Sequence, residues 1–383
     1  MIDINSLSAE WLAEKRRQYG KDPSIMESMI HALYLLEQLK LTGLNFIFKG
    51  GTSLILILEQ PQRFSVDIDI IVSPDVSKEE LEKYLSKIVS SSAFTRMRLD
   101  ERRSYKEGVP KAHYIFYFQS NVPAKNKEGL VLTNPQREVL LDVLFAENNY
   151  PTLVERPIKT EWLQLTDEII TVKTPDINSI AGDKLTAFAP ETTGVPYHRE
   201  SVNEKGEIIR SEMFMEIMKQ VFDVGCLFDL LDNMDMFKES YRSTAIDEIK
   251  YRPERNIGSI DEVLRDTIAT ALLIARKDIQ INAQGKEKFT YLNTGIDQFG
   301  HFVYTGNFRI EQAQVASAKA AYLAAMMLSG SNSELKKFND KIPLADYMIT
   351  HSEYNFLNKR LKFIAKGEAL FYWNEIVKIL YTE

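Results

Sequence analysis

Asp67 and Asp69 stand one residue apart, shortly after the pair Gly50-Gly51, in the stretch 46–72. Around them Phe64, Val66, Ile68, Ile70 and Val72 alternate with Ser65, Asp67, Asp69 and Ile71. Side chains on a strand point to alternate faces. The alternation therefore predicts one strand over 64–72 with Ser65, Asp67 and Asp69 side by side. Two adjacent carboxylates on an apolar strand are costly to desolvate. They suit Mg²⁺, which takes one or two carboxylates and fills its remaining positions with phosphate oxygens and water. The chemistry this spacing predicts is nucleotidyl transfer from a nucleoside triphosphate.

Gly50, Gly51, Thr52 and Ser53 follow a short apolar run and Lys49, and they open a helical pattern. Glycines let the backbone approach a phosphate closely. The first turn of a helix adds free N–H groups and the positive end of its dipole. Thr52 and Ser53 contribute hydroxyls, and Lys49 reaches a phosphate or the attacking group. The plainer reading is a turn with a helix cap. Arg63 pairs with the carboxylates, with phosphate, or in a surface ion pair. Ser65 shares the aspartate face and is expected to touch phosphate. Asp142, in the apolar run 138–145, shares a face with Leu140 and Leu144 and needs a partner there. A buried ion pair with an arginine would also supply one.

These residues need a scaffold, and periodicity outlines it. Helices are expected over 8–19, 24–41 (with Pro23 at its start) and 77–91, where Ser77 and Glu80 have capping-box spacing. Strands are expected over 113–118 and 138–145, with two more around 153–158 and 168–173. From Thr174-Pro175-Asp176 the pattern turns helical: 176–189, 211–232, 260–276, 309–329, 333–340 and 353–380. The polar segment 190–210 is expected to be a mobile loop, and 278–307 fits either a strand pair or a long loop. The simplest division is an α/β domain over 1–174 and a helical domain over 175–383, an α+β fold.

Composition narrows the function classes. The 383 residues carry 47 Lys and Arg against 54 Asp and Glu, a net charge of −7. Any contact with nucleic acid must therefore use a local patch. One such stretch is 94–114, with Arg96, Arg98, Arg102, Arg103, Lys106 and Lys111 interleaved with Tyr105 and Tyr114. It reads as a solvated edge strand or as a phosphate track. The single cysteine, Cys226, excludes an intrachain disulfide and a cysteine zinc site. The histidines (His31, His113, His198, His301, His351) lack zinc-ligand spacing and are expected to be structural or exposed. No Gly-Lys-Ser/Thr closes a glycine-rich run, which argues against a P-loop ATPase. The sequence has no signal pattern and no membrane-length apolar run, so a cytoplasmic protein without membrane contact is expected.

Lys-Gly-Gly-Thr-Ser-Leu followed by Arg-Phe-Ser-Val-Asp-Ile-Asp, residues 49–69, resembles the AbiEii toxin family, which includes the MenT toxins. That family is similar to the DNA polymerase β superfamily of nucleotidyltransferases. The resemblance implies a polymerase-β-like domain with a mixed sheet, then a mostly helical domain completing the active-site cleft. It makes Lys184 the lysine of a second motif and Asp223 the aspartate of a third; Lys219 stands where an arginine is usual. From the residues alone, Lys184 is equally a solvated lysine, and Asp223 equally the i+4 partner of Lys219. The superfamily also implies a third carboxylate, here Asp142, as metal ligand or as base toward the attacking hydroxyl. The implied cofactor is Mg²⁺, with a nucleoside triphosphate as donor and tRNA as the first acceptor to consider. A separate antitoxin and a role in toxin–antitoxin or phage-defence systems follow by the same resemblance. The alternatives are transfer to a protein or small molecule, or a catalytically silent nucleotide-binding module.

Overall fold

Apolar alternation in the first half of the chain builds a sheet, and the Ala-rich second half builds a helical assembly. The computed structural model describes residues 1–60, 62–106, 108–126, 129–202, 206–277, 279, 281–331 and 333–381. It divides into two units, Met1–Asp176 and Ile177–Glu383.

The first unit begins with α1 (Ala9–Tyr19) and α2 (Pro23–Leu41), then β1 (Ile47–Lys49), α3 (Gly50–Ile57), β2 (Ile68–Val72) and α4 (Lys78–Ser91). Ser8 and Ser77 cap α1 and α4 by accepting the N–H groups of Trp11 and Glu80. Next come β3 (Phe94–Leu99), β4 (Lys111–Gln119), β5 (Ala124–Lys125), β6 (Val131–Leu132), β7 (Gln136–Phe145), β8 (Leu153–Pro157) and β9 (Thr171–Pro175). Seven strands form one sheet in the order β3-β4-β7-β2-β1-β9-β8; β5 and β6 form a separate hairpin. The β2–β7 and β1–β9 pairs are parallel and the other pairs antiparallel, so the sheet is mixed. One face carries Ile68, Ile70, Phe116, Phe118, Val139, Leu141 and Val143, all buried. Helices α2 and α4 cover it: His31 of α2 stacks on Phe118 at 3.7 Å, and the Tyr114 hydroxyl donates to Glu82 of α4 at 3.3 Å. Burial holds the His31 imidazole down at about 4, so it is neutral in this core.

The strand expected over 64–72 begins only at Ile68. Residues 64–67 lie outside the ladder because their polar groups are used by α3: the Thr52 hydroxyl donates to the Asp67 carbonyl.

The second unit holds α5 (Ile177–Thr186), the hairpin β10 (His198–Val202) and β11 (Ile208–Glu212), α6 (Phe214–Phe228), α7 (Met234–Lys250), α8 (Ile260–Arg276), α9 (Ala283–Phe299), α10 (Ile310–Leu328), α11 (Asn358–Leu361) and α12 (Glu368–Tyr381). Helix α10 is buried along nearly its whole length. Its alanines admit close neighbours: a Cβ added to Gly225 of α6 would lie 2.7 Å from the Ala316 Cβ. Among the described residues no helix is long and apolar enough to cross a membrane.

Four expectations change here. The segment 190–210 contains the exposed β10–β11 hairpin; 203–205 lie outside the described residues. The segment 278–307 contains α9, capped by Asn282 and buried through Leu292, Gly295, Ile296 and Phe299. Residues 333–340 are not helical, since the Lys336 and Phe338 N–H groups donate to the hydroxyls of Tyr322 and Tyr372 instead of to their own turn. The segment 353–380 breaks before α12 at Lys366 and Gly367, with φ of +58° and +92°, where Gly367 sits against the Tyr347 ring.

Candidate active site

The start of α3 is the centre of the site. Gly50 has φ +75°, a conformation that favours glycine. A Cβ placed on it would lie 2.0 Å from Asp69 Oδ2, so the turn rests directly on that carboxylate. A Cβ on Gly51 would lie 2.5 Å from Arg63 Nη2 and 3.2 Å from Ser65 Oγ. Close approach and backbone conformation therefore require glycine at 50, while at 51 a side chain would press on the end of the Arg63 side chain. Thr52, fully buried, donates its hydroxyl to the Asp67 carbonyl, and its Oγ1 accepts from the Ser65 hydroxyl at 2.8 Å. Ser53 donates to the Gly50 carbonyl at 2.8 Å. Arg63 is buried against the turn and donates to the Phe64 carbonyl at 3.0 Å. These bonds tie the segment carrying Ser65 and Asp67 to the glycine turn, although no strand ladder holds it.

Sheet register extends the site sideways. Lys49 of β1 is paired with Asp69 of β2, Asp69 with Asp142 of β7, and Asp142 with His113 of β4. Paired residues point to the same face, so these four form one row across four neighbouring strands. Strand spacing puts each about 5 Å from the next along the backbone. This face is the one opposite α2 and α4. Lys49 Nζ lies 5.6 Å from the centre of the Tyr150 ring. Asp142 is half-buried, with Oδ1 2.5 Å from His113 Nδ1 and Oδ2 3.9 Å from Arg103 Nη2. Its neighbours are thus a histidine, an arginine and, in register, a second carboxylate.

The donor set fits Mg²⁺. Asp67 and Asp69 offer hard oxygens in the segment that packs on the glycine turn, and Mg²⁺ needs only one or two carboxylates when phosphates supply the rest. Among the described residues there is no cluster of three or more His, Cys, Asp or Glu already arranged around a metal position. Asp142 is turned onto His113 and Arg103.

Lys184 and Asp223 meet within the second unit. Lys184 Nζ, on α5, lies 3.1 Å from Asp223 Oδ2 and 3.3 Å from Gln220 Oε1, both on α6. The side chains are 8% and 1% exposed, so this is a buried ion pair and not a solvated lysine. Lys219 lies 3.8 Å from Glu216 and over the Phe302 ring. Asp229, the other aspartate of that stretch, is paired with Lys319 at 2.9 Å.

His113 was not separable from the other histidines by sequence. Its one available signal is its place in an apolar strand, and only pairing with β7 brings it to Asp142. The comparison with curated proteins finds no match. The family model of the nucleotidyl transferase AbiEii toxin, type IV toxin–antitoxin system, matches residues 34–292, more than half of the chain, including the glycine turn, the aspartates, Lys184 and Asp223. The chain belongs to the AbiEii family of nucleotidyltransferase toxins.

Proposed function

We propose that this protein transfers a nucleoside monophosphate from a nucleoside triphosphate to an acceptor hydroxyl, with Mg²⁺ as cofactor and tRNA as the first acceptor. The observation that carries this is the seating of Gly50 on Asp69, which packs the start of a helix against a carboxylate row. The turn from Gly50 to Ser53 binds the triphosphate through backbone N–H groups and the positive end of α3, and Lys49 adds a cation at its edge. Arg63 and Ser65 brace the turn. Asp67 and Asp69 hold Mg²⁺, which when bound stabilises charge on the transferring phosphate and the pyrophosphate.

Asp142, in register with Asp69 and held by His113, is the adjoining carboxylate and accepts the proton of the attacking hydroxyl. The new bond joins the acceptor oxygen to the α-phosphorus, the α–β phosphoanhydride bond breaks, and pyrophosphate leaves. Most of the acceleration comes from positioning and charge stabilisation. Lys184 and Asp223 serve the same reaction by family resemblance. The setting is a toxin–antitoxin or phage-defence pair in the cytoplasm, with a separate antitoxin.

The test incubates the protein with Mg²⁺, each α-labelled triphosphate and total bacterial tRNA. Wild type runs beside Asp67→Ala/Asp69→Ala. Label on tRNA that disappears in the variant is the expected result. Label on protein would keep the chemistry and change the acceptor. Transfer undiminished in the double variant would refute the site.

A further inference from the structure

We propose that Arg96, Arg98 and Tyr117 form a track for the single-stranded end of a polynucleotide acceptor; this rests on the nucleotidyl-transfer reading. Strand β3 is an edge of the sheet. Arg98 pairs with Ile115 and Arg96 with Tyr117 on β4. Ile115 and Tyr117 follow His113 at two-residue steps, so they share its face. Both arginines therefore lie on the face that carries Asp69 and Asp142.

Arg98 is two strands away from Asp142 and two residues further along, a backbone separation of about 12 Å. That places it beyond the reach of a triphosphate held at the glycine turn. It is where the nucleotides preceding an acceptor hydroxyl would pass.

The side chains are arranged for such a strand. Both arginines are exposed. The Arg96 guanidinium stacks over the Tyr117 ring at 3.6 Å and donates to Gln136 Oε1 at 2.8 Å. Arg98 Nε donates to the Tyr117 hydroxyl at 3.3 Å. These hydrogen-bond partners are neutral and orient the guanidinium groups, while the Asp100 and Glu138 carboxylates offset part of the charge of Arg98 and leave Arg96 the freer cation. Between the edge and the carboxylate row, Leu140 stands opposite the buried Ile115 and, itself half-buried, offers an apolar edge to a base. Glu138, exposed and opposite Tyr117, repels phosphate from β7 and keeps the backbone over β3. Basic side chains beside an aromatic ring are the usual means of holding single-stranded nucleic acid. In a chain of net charge −7, attraction must be local in this way.

The test compares wild type with Arg96→Gln/Arg98→Gln and with Arg96→Lys/Arg98→Lys. All three are matched for thermal unfolding. A labelled single-stranded RNA oligonucleotide is titrated across a salt series, and KM values for total tRNA and for the triphosphate are measured. Two lost phosphate contacts should flatten the log–log salt dependence by about 1.4. The glutamine variant should raise the KM for tRNA about tenfold while leaving the KM for the triphosphate in place. The lysine variant should retain most of the salt slope.

Unchanged RNA binding and KM, with transfer to tRNA intact, would overturn the track and leave the transfer reading standing. Wild type that labels protein and does not bind RNA would overturn the track and the RNA acceptor together. Loss of binding to an acidic peptide, with RNA binding unaltered, would make this a protein-facing surface and overturn the proposal.

Discussion

Gly50→Ala tests whether the glycine turn and Asp69 act as one unit. The new Cβ would fall 2.0, 2.6 and 2.8 Å from the Oδ2, Cγ and Cβ of Asp69. Nothing flexible lies between them, so the carboxylate or the turn must move by about 1 Å or more. Holding alanine at φ +75° costs about 1–2 kcal/mol, and overpacking adds about 1–3 kcal/mol. The expected loss of stability is therefore about 2–5 kcal/mol. Displacement of Asp69, the proposed metal ligand, by about 1 Å should lower turnover about 100-fold.

Gly43→Ala is the matched control. Gly43 has φ +88° with nothing within 4 Å of the added Cβ. It should lose about 1–2 kcal/mol from the backbone alone and keep its turnover. The assays are thermal unfolding and label transfer to tRNA at saturating triphosphate. Wild-type turnover in Gly50→Ala, or equal losses in both variants, would refute the coupling of turn and carboxylate.

Lys184→Ala should destabilise the protein by about 3–5 kcal/mol, because it leaves Asp223 buried without its lysine; Lys184→Met/Asp223→Leu should recover much of that in urea unfolding. Asp266 provides a pH prediction. Its carboxylate accepts the N–H groups of Glu191 and Thr192 and the hydroxyls of Thr192 and Thr270, yet burial pushes it up to about 6 from 3.8. The folded state thus binds the proton more tightly than the unfolded state. The stabilisation is complete below about pH 4 and is lost as pH rises through 6, an upper bound of about 3 kcal/mol. Unfolding midpoints of wild type minus Asp266→Asn between pH 4 and 7 should show that fall, and a flat difference would refute it.

Sequence alone determined what is local. The cap at Ser77, Pro23 at the start of α2, the glycine turn and the alternation of β4 and β7 depend on near neighbours, and each lies close to its expected place. The motif from Lys49 to Asp69 carried the family for the same reason: its residues are close in the chain as well as in space. Helix α9 was hidden because its exposed positions are polar and its buried face includes glycines that mark close packing, with Gly295 against the Phe214 carbonyl. Residues 333–340 have a helical pattern, but distant tyrosines take their N–H groups.

The row from Lys49 through Asp69 and Asp142 to His113 belongs to tertiary structure alone. Alternation shows which residues share a face of one strand. It does not say which strand lies alongside or in what register. That was decided by burying Ile68, Ile70, Leu141, Val143 and Phe116 together beneath α2 and α4, since a slip of one residue would turn every one of them to the opposite face.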